Sequence, residues 1–80
     1  NAQGLTASGK QVAVGMVAMS SHYPFGTQIM INGTMYTVED RGGSGIENNI
    51  HRVDIYVPDH QQALRMGQYT TTATIYRLGR

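Results

Sequence analysis

The sequence predicts an all-β fold, a small barrel of five or six short strands with one short helix before the last strand. Three observations carry this expectation. Ten glycines stand among many Thr, Val, Ile and Tyr residues, a composition suited to strands and tight turns. Asn32-Gly33 separates two β-patterned runs. Residues 53–57 alternate between apolar and polar, the period of a strand with one buried face. In a chain of 80 residues without cysteine, a closed sheet buries a core and hides its edges without disulfides.

The elements follow in order. Residues 1–11 are small and polar and read as a loop or frayed edge. Val12 to Met19 is a continuous apolar run, predicted as a buried strand in which Gly15 marks a bulge or kink. Ser20 to Pro24 is a turn leading into Phe25-Gly26-Thr27. Gln28–Ile31 and Thr34–Glu39 form a hairpin across Asn32-Gly33, a pair that tolerates the positive φ angles of a type I′ turn. The period of two places Tyr36, Val38 and Asp40 on one face.

Arg41 to His51 is a glycine- and asparagine-rich loop. Arg52–Val57 is a strand with Val53, Ile55 and Val57 towards the core and Arg52, Asp54 and Tyr56 away from it. Asp59 to Met66 is the predicted helix. Asp59 and Gln62 have capping-box spacing, and Gly67 is a stop signal. Thr70–Leu78 is the closing strand, with Ala73 and Ile75 expected in the core.

Bulk properties narrow the function. Net charge is +1 and only 14% of residues are charged. The basic residues form no stripe, which argues against a nucleic-acid or membrane-surface partner. No apolar run approaches the roughly 20 residues of a membrane span. No signal peptide is read at the N-terminus. Eighty residues fit one domain over residues 1–80, expected to be monomeric in isolation, and the opening Asn1-Ala2-Gln3-Gly4 suggests that it is excised from a longer protein. His22, His51 and His60 lack metal-ligand spacing, so no metal or cofactor is expected.

Two carboxylates stand out. Asp40 ends a strand and opens the glycine-rich loop, and Asp54 lies on the polar face of the next strand. If the loop returns the chain, the two sit side by side, an arrangement that separates their protonation states and suits general acid–base work. The structural alternative is that Asp40 caps a turn and Asp54 pairs with Arg52 or Arg41. Glu39 is expected to be a solvated strand residue, and Glu47 an exposed loop residue. His22 and His51 are loop residues within reach of a ligand.

Six motifs in order carry a resemblance. They are Thr6-Ala7-Ser8-Gly9, Val17-Ala18-Met19, Pro24-Phe25-Gly26-Thr27, Val38-Glu39-Asp40-Arg41-Gly42-Gly43, Arg52-Val53-Asp54-Ile55-Tyr56, and the helix end at Ala63 to Gly67. Together they resemble the three-aspartate (3D) domain of Gram-positive cell-wall proteins, including stationary-phase survival proteins. That domain is similar to the catalytic barrel of the membrane-bound lytic transglycosylase A family.

The resemblance implies a six-stranded double-psi β-barrel with a groove for peptidoglycan glycan strands, located outside the cell in the wall or associated with a phage. It implies cleavage of the MurNAc–GlcNAc β-1,4 bond with formation of 1,6-anhydroMurNAc. Asp54 is then the catalytic acid and base, and Asp40 its neighbour. Thr6, Ser20, His22, Arg41, Gly42, Gly43 and Tyr56 are the expected substrate contacts. The chain departs from the family pattern at Ser20, where the first aspartate is usual, at Arg41, where Thr is common, and in a longer loop between Asp40 and Asp54. A cation at Arg41 would favour an ionised Asp40. Two alternatives remain: a glycan-binding or structural barrel without activity, and a hydrolase using water with the same carboxylates.

Overall fold

In the computed structural model, residues 4–56 and 70–80 are described. Asn32 and Gly33 both take positive φ, 49° and 82°, and close the expected two-residue hairpin between β2 (Gln28–Ile31) and β3 (Thr34–Asp40). The register follows from the turn, with Ile31 opposite Thr34 and Gln28 opposite Thr37. Strand β1 (Met16–Ala18) lies parallel to β3, and β4 (Asp54–Ile55) antiparallel to β1. Strand β5 (Ala73–Arg77) pairs antiparallel with β2. The result is one mixed five-stranded sheet in the order β4-β1-β3-β2-β5.

Several expectations change. The apolar run from Val12 is not one strand. Met16 N–H donates to the Ala13 carbonyl at 3.2 Å and Gly15 takes φ 96°, so a turn occupies the first half and Val14 is 73% exposed. The glycine-rich loop contains the short helix α1 (Ser44–Glu47). The predicted helix at 59–66 and the expected core residue Val57 lie outside the described residues. The described residues form five strands, and among them no pairing joins β4 to β5.

The core is Val17, Met19, Ile29, Ile31 and Val38, with Tyr23, Tyr36, Val53 and Ile55 packed against it. Burying each large aliphatic side chain contributes about 1.5–3 kcal/mol. The expected inward face of β4 is correct, since Val53 and Ile55 meet this cluster. The expected burial of Ala73 and Ile75 is not observed: every residue of β5 is exposed. Among the described residues it is the terminal strand in the order, with one hydrogen-bonded neighbour.

Glu39 is a second correction. It is 2% exposed, not solvated. Both carboxylate oxygens receive Arg80, from Nη1 and Nη2 at 2.6 Å each, and Lys10 Nζ lies 3.7 Å away. The Arg80 hydrogen bonds, helped by Ser8 and the Lys10 charge, outweigh burial and hold its pKa at about 2. A buried carboxylate needs such partners, and alternation alone does not reveal them.

Candidate active site

The site is built on an irregularity in the β1–β3 pairing. Val17 opposes Val38, but the next residue, Ala18, opposes Asp40, so Glu39 is an extra residue in β3. Neighbouring residues of β1 face opposite sides, and cross-strand partners share a side. Asp40 therefore lies on the Ala18 side and not, as the period of two predicted, on the Val38 side. A bulge of this kind re-aims a side chain. On the other flank of β1, Ala18 also opposes Asp54. The two carboxylates thus stand on strands either side of one alanine. Two inter-strand steps separate their backbones by roughly 9.5 Å.

These residues share a cleft of about 240 Å³. Of the predicted site residues, Thr6, Asp40, Arg41, Gly42, Asp54 and Tyr56 line it. Val12, Met16, Val17, Ala18 and Ile55 complete the lining. Tyr56 is 41% exposed, presenting an aromatic face beside Asp54. Ser20, His22 and Gly43 are not among the lining residues. His22 is exposed and packs edge-on against Tyr23 at 4.9 Å. Gly43 precedes α1 with φ 83°. His51 is exposed beside Asn49, whose side-chain oxygen accepts its N–H at 3.2 Å.

No hydrogen bond joins the two aspartates. Asp40 Oδ1 accepts the backbone N–H groups of Ala7 and Arg41, both at 2.9 Å. Asp54 Oδ1 lies 3.5 Å from Arg52 Nε, and the Asp54 side chain is 54% exposed. Both structural roles weighed from the sequence are therefore realised, and both carboxylates still reach the cleft.

Thr6 serves the site through the backbone. It is 6% exposed, and its hydroxyl bonds Lys10 O and Lys10 N–H at 3.1 and 3.2 Å. The 6–10 turn is thereby closed, Ser8 N–H reaches Glu39 O at 3.0 Å, and Ala7 N–H is aimed at Asp40. Within the segment read as a loop or frayed edge, the 6–10 turn supports a cleft carboxylate.

Glu47 is the residue that sequence reasoning passed over. It is exposed, but it is engaged by the Ser20-Ser21 turn. Ser21 donates from its hydroxyl and from its N–H (3.1 and 3.3 Å), and the Ser20 hydroxyl lies at 3.5 Å. The Ser21 hydroxyl, then the Ser21 N–H, with the Arg41 charge and Ser20 adding, draw its pKa below the ordinary value against the opposing effect of burial. A lone Glu in a glycine-rich loop and a Ser-Ser pair were the available signals.

Gly42 is set by close approach. A Cβ there would collide with the side chain of Ile46, which is itself 3% exposed and anchors α1. Among the described residues no group of three His, Asp or Glu comes together as a metal site, and no helix is long and apolar enough to cross a membrane.

A family model described as the 3D domain matches residues 15–79. The match covers the cleft carboxylates and begins after the 6–10 turn. No curated protein and no solved structure matches the chain.

Proposed function

The chain belongs to the 3D domain family, a family linked in general to peptidoglycan-related lytic function, and on that premise we propose that it is a peptidoglycan lytic transglycosylase. The observation that carries the reading is the placement of Asp40 and Asp54 on either side of Ala18 in one cleft. The proposed closed form of the sheet is the double-psi barrel, and the proposed place of action is the cell wall.

In the proposed reaction Asp54 gives its proton to the glycosidic oxygen as the bond to the muramoyl anomeric carbon breaks. The C6 hydroxyl of the same sugar then attacks that carbon, and Asp54 takes the hydroxyl proton. Atoms balance without water, and the products are a 1,6-anhydromuramoyl end and a free 4-hydroxyl. One residue suffices as acid and then base because the nucleophile is intramolecular. Asp54 lines the cleft, within reach of a bound strand for proton exchange. Asp40, fixed by two backbone N–H groups, suits stabilisation of positive charge at the anomeric carbon. Tyr56 offers a stacking face to the sugar.

A second reading is a glycan-binding barrel without activity, favoured by Ser20 and by the absence of a direct bond between the aspartates. Mass analysis of products from purified peptidoglycan separates the two. Anhydromuramoyl products support the enzyme. New reducing ends move it to a hydrolase, and binding without release moves it to a binding module.

A further inference from the structure

Arg41 is held in the cleft wall with part of its guanidinium engaged and part free. The group lies 4.0 Å from the Phe25 ring centroid. Its Nη1 donates to the carbonyls of Asp40 and Met19 at 3.3 and 3.5 Å. The ring and the two carbonyls orient the plane, as stacking and a rigid fork of five donors allow. Nε and Nη2 have no protein acceptor among the described residues.

The nearby carboxylates do not pair with it. Asp40 accepts two backbone N–H groups at Oδ1 and, among the described residues, no cation, and Glu47 is engaged by Ser20 and Ser21. Arg52 and Arg80 each lie against a carboxylate, whereas Arg41 has none within 4.0 Å among the described residues. Arg41 is also half-buried. An oriented, partly desolvated guanidinium with open donors fits a planar carboxylate supplied from outside.

We propose that Arg41 is a specificity residue that binds a carboxylate carried by the glycan strand, so that the cleft selects acidic strands over neutral ones. This rests on the peptidoglycan reading. The carboxylate is either that of the lactyl arm of a muramoyl residue or one on the peptide attached through it.

The test measures binding to three probes: peptide-bearing glycan strands, strands stripped of peptide so that the lactyl carboxylate is free, and neutral chitin oligosaccharides. Asp54→Asn protein is used so that strands are not consumed. At least one acidic probe is expected to bind about tenfold or more tighter than chitin oligosaccharides, the scale of a charge-assisted hydrogen bond. The acidic probe that shows the advantage identifies the carboxylate's source. Added salt should shrink the advantage, Arg41→Gln should bring the ratio near one, and Arg41→Lys should retain part of it. Equal binding of all three probes, or an unchanged ratio in folded Arg41→Gln, overturns the Arg41 proposal alone. If Arg41→Gln does not fold, an advantage insensitive to salt overturns it. Binding to none of the probes overturns the peptidoglycan reading itself.

Discussion

Asp40 and Asp54 oppose the same residue, Ala18, from the two strands that flank β1. A small side chain between two carboxylates leaves the space above it open to a ligand. Asp54→Asn is expected to keep the fold, because Asn is nearly isosteric and the side chain is largely solvated. It should lower peptidoglycan cleavage by roughly 10²–10⁴-fold, the usual worth of one general acid–base residue. Product release from purified walls, with thermal unfolding as the control for fold, checks this. Undiminished cleavage removes Asp54 from the mechanism.

Glu39 predicts an acid-dependent stability. Its folded pKa is about 2 against an ordinary 4.5, so the ionised form is favoured by folding. Its contribution is present above pH 4.5 and is lost as pH falls towards 2. Glu39→Gln should destabilise by about 1–3 kcal/mol at neutral pH, the cost of leaving buried partners unsatisfied. The variant should also lose this group's share of the acid slope. Urea unfolding at several pH values reads both, and a variant with the same stability and slope refutes the assignment.

Glu47 and Ser20 should be coupled. Ser20 is 2% exposed and faces the Glu47 carboxylate. Ser20→Asp places two like charges together and is expected to lower the unfolding midpoint. Glu47→Gln combined with it should restore part of the loss, because the amide oxygen still accepts from Ser21 without the charge. A double-mutant cycle with no coupling would show that the 20–21 turn and α1 are independent.

Gly42→Ala should destabilise by about 1–3 kcal/mol, as overpacking does. The added methyl meets Ile46 Cδ1 most closely, with Cγ1 and Cβ behind it, and Ile46 is itself buried and has little room to move. Combining it with Ile46→Val should recover part of the loss, since the Cδ1 atom in closest conflict is removed. Denaturation curves of the two variants decide the point. A neutral Gly42→Ala would mean that the loop relaxes freely.

Much of this architecture was legible from local chemistry. The Asn32-Gly33 hairpin, the inward face at Val53 and Ile55, and the outward face at Asp54 and Tyr56 follow from turn geometry and strand period. Six of the nine predicted site residues line one cleft, since the motifs concentrate where strands β1, β3 and β4 meet. The misplacements of Asp40 and Glu39 share one cause. Strand period assumes unbroken pairing, so it cannot foresee the extra residue at Glu39 that moves Asp40 to the other face. The same assumption made Glu39 look solvated.

By itself, the sequence determined which segments extend, where the hairpin turns, which family the chain resembles and which two aspartates merit attention. The extended segments and the turn depend on intrinsic backbone preference and short-range spacing, and the resemblance on the six motifs in order. Only the tertiary structure decided that the 6–10 turn aims Ala7 N–H at Asp40, that Arg80 neutralises Glu39 from 41 residues away, and that Ser20-Ser21 engages Glu47. Those partners are distant in sequence, and their pairing follows from the parallel β1–β3 register and its bulge. Burial of a charge is tolerated only where the fold brings a counter-charge to it, and no local pattern records where that will be.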